Sequence, residues 1–263
     1  MSRTRGTWNT KGAWAAGVTA AAVAMLTGYA LFSGDDGGAE TPAKGGPSAS
    51  APSSASPAPS YSVPDDWTEP ERWAALPRGK RTDGRGSEIG FPHTTEGAVA
   101  MMAAANTIAV EGDTSSVDEQ LRTYYSYFAD PSSKDAEKVG QAAEQADKRL
   151  AGQMGVSLGQ PLPPGAYVRN HVVGYKIIKK SGDEVTAWVL ARVTQKAGEL
   201  EKEKGSYTRT LVGAQWKGSD WKISLDAITR AQRDAQGEPK PEMVAPGDAA
   251  FNSAGWTAIR AAS

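Results

Sequence analysis

Only two imidazoles, His93 and His171, are available for acid–base or metal chemistry, and the 263-residue chain has no cysteine. The lack of cysteine removes disulfides, thiolate nucleophiles, thiolate metal ligands and a lipid-modified cysteine anchor together. A zinc site needs converging ligands at short spacings, and neither histidine has a second imidazole nearby in sequence. General acid–base work needs a carboxylate or imidazole on an apolar wall, where burial can tune its pKa. The strand-like segments Tyr167–Lys179, Val185–Gln195 and Ser206–Lys217 contain no Asp or Glu. In a fourth segment, Trp221–Asp226, the acids Asp220 and Asp226 alternate away from Trp221, Ile223 and Leu225, so both are expected to face outward. His171 shares strand parity with Arg169, Val173, Tyr175 and Ile177; it can point inward, where a hydrogen-bonded structural role is the simpler reading. His93 follows Pro92 and suits a helix boundary. Gly84, Gly86 and Gly90 do not fit the G-x-G-x-x-G fingerprint. The expectation is a protein that is not an enzyme, with no catalytic, cofactor-binding or metal residues and no cofactor.

The elements that would hold these residues form two groups. Gly97–Val110, GAVAMMAAANTIAV, is uncharged and apolar nearly all round, which predicts a buried helix, with Thr94 or Thr95 as N-cap and Glu96 in its first turn. Ser116-Val117-Asp118-Glu119 reads as a capping box opening a second helix, with Leu121, Tyr124, Tyr125 and Phe128 at helical spacing. A third helix starts near Ser132 or Ser133 and buries Ala136, Val139, Ala143, Ala146 and Leu150. Beyond Gly155 the period changes to two, and the four strand segments follow. Ser181-Gly182-Asp183 and Lys217-Gly218-Ser219-Asp220 make tight hairpins, and AGELEKEKG forms a charged hairpin tip. Helices followed by a meander predict an α+β domain, three helices on one face of a curved four-stranded antiparallel sheet.

This domain has company on both sides. Gly12–Phe32 is 21 residues without a charge, enough for a helix of about 30 Å across a bilayer. Arg3, Arg5 and Lys11 precede it and Asp35 and Asp36 follow, which places the N-terminus in the cytoplasm and the rest outside. A cleaved signal peptide, with Gly28 and Ala30 as a small-x-small site, is the alternative; either reading exports the remainder. The Gly/Ala/Ser/Pro-rich stretch that follows reads as a disordered tether. The expected organisation is a cytoplasmic segment at 1–11, an anchor at 12–32, a linker at 33–66, an extracytoplasmic domain with its lead-in at 67–228, and a tail at 229–263. Trp67 and Trp73 are expected to pack on the domain, and Arg78, Lys80, Arg81 and Arg85 to form a solvated basic loop. In the tail, Phe251, Trp256 and Ile259 can dock a short helix onto the domain or a neighbour. A net charge of -1 gives direct nucleic-acid binding no support.

The buried helix GAVAMMAAAN and the final hairpin LVGAQWKGSDWKISL at 211–225, with Trp216 and Trp221 flanking its turn, resemble the cone-shaped nuclear-transport-factor-2-like superfamily. Within it the chain resembles the bitopic scaffold subunits of conjugation and type IV secretion systems, of the TcpC type, from actinobacteria. The resemblance implies a cell-membrane, single-pass scaffold whose partners are other envelope-complex subunits, often in a homo-oligomer. A second family of the same design, membrane-anchored accessory proteins of lipid import, implies a small-molecule or lipid-binding cone. A polar cluster of Arg169, His171 and Arg192 inside an open cone would favour that second function. A cone filled by Tyr124, Phe128, Trp188 and Trp216 would favour the scaffold.

Overall fold

The computed structural model of the protein describes residues 66–154 and 162–260. The expected anchor at 12–32 and the linker up to residue 65 lie outside them, and among the described residues no helix is long and apolar enough to cross a membrane.

The uncharged run divides into two elements. Helix α1 covers Thr95–Ala105; the Thr94 side chain accepts from the Gly97 amide, Glu96 occupies the first turn, and Gly97–Met102 and Ala105 are buried. The helix was expected to reach Val110. Asn106 ends it instead, donating from Nδ2 to the Met102 carbonyl at 2.8 Å, and Ile108–Glu111 becomes a strand, β4, with alternating burial. The β-branched Thr107, Ile108 and Val110 favour that change, and an apolar run without periodicity could not signal it. Helix α2, Ser116–Tyr127, is capped by Ser115, one residue earlier than expected. The Ser115 hydroxyl accepts from the Asp118 amide at 3.0 Å and donates to the Asp118 carboxylate at 2.7 Å. Helix α3, Ser133–Met154, is capped by Ser132 and buries Ala136, Val139, Ala143 and Ala151.

The four expected strands are present as β5 (Ala166–Lys180), β6 (Glu184–Ala197), β7 (Lys204–Lys217) and β8 (Asp220–Ile223). The last is shorter than expected because Ser224 caps a further helix, α4 (Leu225–Asp234), which leaves Leu225 38% exposed rather than aligned with Trp221 and Ile223. The boundary expected at residue 228 therefore falls inside a helix whose Ala227, Ile228 and Ala231 are buried. The tail continues through a short helix, α5 (Ala249–Ser253), into β9 (Thr257–Arg260). Strand β9 pairs antiparallel with β5 and parallel with β1 (Trp73–Ala75). The protein is thus α+β, but its main sheet has seven strands rather than four, in the order β1-β9-β5-β6-β7-β8, with β4 also on β5. A separate antiparallel pair, β2 (Arg81–Thr82) and β3 (Glu88–Ile89), lies in the lead-in.

Helices cover both faces of the sheet, not one. On the inner face Val185, Ala187, Val189, Ala191, Val212 and Ala214 pack with Ala98, Met101 and Met102 of α1 and with Tyr124, Tyr127 and Phe128 from α2 and its end. On the outer face Leu190 packs with Phe251, Trp256 and Ala258 of the tail, against the half-buried Trp73, Val173, Trp188, Tyr207, Met243 and Val244. Helix α4 crosses the outer face at Gly213, where a Cβ would lie 2.6 Å from the backbone of Ala227 and Ile228. Only a residue without a side chain permits that approach.

The lead-in and the tail are stitched together. Thr68 donates its amide to the Gly247 carbonyl at 2.7 Å, the Glu71 amide bonds Asn252 Oδ1 at 2.9 Å, and the Ala258 amide bonds the Arg72 carbonyl at 2.9 Å. Glu69 accepts from both indoles, Trp67 at 3.0 Å and Trp73 at 2.8 Å, and Arg260 stacks over the Trp73 ring. Trp73 packs on the domain as expected, while Trp67 lies against Gly247 and stays 37% exposed.

One edge of the sheet is covered over only part of its length. Strand β8 pairs with β7 at Ala214–Lys217, and among the described residues no strand pairs with the outer side of Lys204–Val212.

Candidate functional site

The two histidines occupy different environments. His93 lies in the loop before α1, where it meets the β5–β6 turn and the β7–β8 hairpin. Its Nε2 is 2.9 Å from Asp183 Oδ1, and its ring stacks on Trp216 with centroids 4.1 Å apart and planes within 10°. Trp221 meets the same ring edge-on at 5.5 Å and donates from its indole to the Pro92 carbonyl at 2.8 Å. The Trp216 amide bonds the Asp183 carbonyl at 2.9 Å, so the turn and the hairpin are held together by backbone as well as by rings. The boundary residue is thus part of an aromatic corner. Its imidazole is 43% and the Asp183 carboxylate 78% exposed, so the pair lies on the surface, where the carboxylate orients the stacked ring.

His171 is exposed, and so are Arg169 and Arg192. The parity expected for β5 fails at two register shifts, between Val172 and Gly174 and between Ile177 and Lys179. Beyond the first bulge Tyr175 and Ile177 turn to the inner face, opposite Val189 and Ala187, while Arg169 and His171 remain on the outer side. There Arg169 pairs with Glu111 at 2.5 Å and lies over the Tyr167 ring, Tyr167 donates to Glu203, and Arg192 is 3.8 Å from Glu203. These three cationic or titratable residues do not converge inside the fold. Tyr124, Phe128 and Trp216 belong to the inner core, whereas Trp188 belongs to the outer one.

Asp220 overturns the expectation that it faces outward. It is 5% exposed and accepts three backbone amides: Gly90 at 2.7 Å, Phe91 at 3.0 Å and its own neighbour Trp221 at 2.9 Å. Strand parity describes a side chain's face, and an acid at a strand's first residue can instead turn back to cap a loop. Asp226 is exposed in the first turn of α4. A second carboxylate, Asp83, locks the β2–β3 turn onto α2. Burial opposes its ionisation, but bonds from the Ser126 hydroxyl and the Ser87 and Arg85 amides hold it below the usual carboxylate range. The Arg122 guanidinium joins Glu119 to Ser87 beside it. Of the basic loop, Arg78, Lys80, Arg81 and Arg85 are all exposed, and Arg85 stacks over Tyr125.

The outer face carries a groove of about 230 Å³, between Lys176, Lys179 and Trp188 of the sheet and Asp234, Glu238 and Pro241 near the end of α4 and beyond it. Arg209 borders it, donating to the Pro241 carbonyl at 2.5 Å over the Trp188 ring. Among the described residues no cluster of three or more His, Asp or Glu is placed to hold a metal ion. The arrangement offers surface recognition by stacking, charge pairing and backbone bonding, with its buried acids used for structure. Comparison of the chain with family models, with curated proteins and with solved structures gave no match.

Proposed function

We propose that this chain is a non-enzymatic interaction domain held at the outer side of the cell membrane, a scaffold of a cell-envelope machine of the conjugative, type IV secretion-like kind. Its anchor is the apolar segment Gly12–Phe32, with residues 1–11 in the cytoplasm and the Pro/Ser-rich linker as spacer. One observation carries this reading: among the described residues side chains pack on both faces of the sheet, and the chemistry-bearing residues end on the surface or in structural bonds. Tyr124, Phe128, Met101 and Met102 occupy the space beneath the inner face that an open cone would leave for a ligand. Tyr127, the most interior phenol there, has its proton held by burial. The cone-shaped, nuclear-transport-factor-2-like architecture is part of the same proposal, supported by an apolar helix packed on a bulged sheet that ends in a Trp-bearing hairpin.

The second reading, an extracytoplasmic small-molecule or lipid-binding accessory, has the groove beside Trp188 in its favour. At about 230 Å³ it is smaller than the roughly 300–1,000 Å³ of ordinary ligand pockets. Photo-crosslinking from the domain surface in intact cells separates the two. Capture of other envelope subunits is expected, and capture of lipid alone, from a probe beside Trp188, would overturn the scaffold reading.

A further inference from the structure

We propose that the open edge of β7 is a self-association edge, at which a second copy of the chain adds its own β7 antiparallel and joins two sheets into one. Over most of the sheet both faces are covered by this chain's helices and tail, with Arg169, His171 and Arg192 exposed at one end of the outer face, and among the described residues the β7 edge is where directional backbone bonding stays open. Other margins of the sheet are short: β1 has three residues and β4 has four. The β7 stretch Lys204–Val212 is long, free of proline, and in continuous register with β6 without a bulge. Short strands, prolines and bulges are among the protections of an edge, and this stretch has none of them, its charges being Lys204 and Arg209. Its residues Ser206-Tyr207-Thr208-Arg209-Thr210-Leu211-Val212 are largely β-branched or aromatic, the types that favour strand pairing.

The backbone phase determines which residues offer bonds. Trp216 turns its amide towards the β6 side, to Asp183, and Gly213 turns its carbonyl the other way, to the Ser224 amide. Alternation then points the amides and carbonyls of the odd-numbered residues of β7, from Gly205 to Leu211, away from β6. A symmetric antiparallel pair must match odd residues with odd, which leaves few registers. A twofold axis at Arg209 sets like charges opposite each other. An axis at Thr208 instead places Tyr207 opposite Arg209 of the second copy, twice, with Ser206 opposite Thr210 and Thr208 opposite itself. Cation–π and hydroxyl pairs of this sort are favourable across strands, and no like charges stand directly opposite each other. A second copy fits better than the chain's own linker, because residues 33–66 carry Pro42, Pro47, Pro52, Pro57, Pro59 and Pro64 and cannot supply a continuous ladder.

The cysteine-free sequence makes the test direct. Thr208 occupies a non-hydrogen-bonded position at the axis, where facing Cα atoms lie about 4.5 Å apart, inside the range a disulfide tolerates. Thr208→Cys in the full-length chain, oxidised mildly in membranes, is expected to give at least tenfold more disulfide dimer than Gly182→Cys on the exposed β5–β6 turn. Membranes carrying a mixture of Ser206→Cys and Thr210→Cys chains are expected to give the mixed dimer, which also covers the case that position 208 does not tolerate cysteine. Leu211→Pro removes an outward amide and no bond to β6, and added to either cysteine design it is expected to cut the yield at least tenfold. Yields equal to the Gly182→Cys control in both designs would overturn the proposal. A disulfide to a different protein would overturn its choice of partner, and strong crosslinking through Tyr207→Cys instead would overturn its register.

Discussion

At the scale of single residues, the decisive group is the Asp220 carboxylate, which holds the loop before α1 to the start of β8. It gathers three amides, two of them from Gly90 and Phe91, 130 and 129 residues away in sequence. Asp220→Ala strands those donors in a buried site, and the expected loss is about 3 kcal/mol, read as a lower denaturant midpoint in unfolding of the purified protein. Glu184 makes a milder, pH-dependent contribution. Bonds from Arg230 hold its carboxyl below the usual range, with Gln215 assisting against the cost of burial. Its folded pKa is depressed, so its stabilisation is complete above the ordinary glutamate value of about 4.3 and fades as pH falls through the folded value. Asp147 acts in the opposite sense: burial raises its pKa, against a bond from Ser116, and its ionisation weakens the fold as pH rises through the raised value. Glu184→Gln is therefore expected to flatten the acid limb of a plot of melting temperature against pH, leaving the neutral region lower by the equivalent of about 1 kcal/mol or less for a partly exposed pair. Residue types pointed correctly to the aromatic packing of Tyr124 and Phe128, because large apolar side chains at helical spacing have few alternatives to a core. They did not reveal the stack of His93 on Trp216, whose partners come from three separate segments.

Elements were legible where a period runs unbroken. β6 keeps Val185, Ala187, Val189, Ala191 and Val193 on one face, in unbroken register with β7, and its ends were foreseen to within two residues. In β5 two bulges reset the alternation, and nothing in a stretch rich in Val, Ile and Lys marks where the extra residues sit. β4 was missed because Ile108–Val110 continues an uncharged run, and its strand state depends on pairing with Tyr167–Asn170, far along the chain. The position of α4 shows the same dependence on tertiary contact. Gly213 reads as an ordinary strand glycine, yet it creates the space in which Ala227 and Ile228 lie. Gly213→Ala is expected to cost about 1–3 kcal/mol through overpacking, whereas Gly182→Ala, with nothing within 4 Å of the new methyl, should leave the melting temperature within a degree or two. Equal melting temperatures for the two variants would mean that α4 does not need that close approach.

At the scale of the whole molecule, the outer core depends on residues near the end of the sequence. Trp256 and Phe251 are fully buried, and the Trp256 indole donates to the Glu242 carbonyl at 2.7 Å. Trp256→Ala is expected to destabilise by about 3–5 kcal/mol, and a stability loss below 1 kcal/mol would show that the tail is an accessory to the fold rather than part of it. The sequence pointed to docking by Phe251 and Trp256 through a short helix, and both dock on the domain; what the Pro- and Gly-rich connection between Gly237 and Gly247 conceals is that the chain then adds a strand, β9, to the sheet.

Strand β1 has a consequence in time as well as in space. Its ladder partner is β9, with Trp73 opposite Ala258, so the first described strand must wait for nearly the last described residues before it can pair. A chain emerging amino end first can assemble α1 to β8 while Trp67 and Trp73 are still without their seat, and such distant pairings form slowly. Ribosome-held intermediates released at successive lengths should therefore keep both indoles open to aqueous quenchers until residues past 258 are free, then shield Trp73 in a single late step.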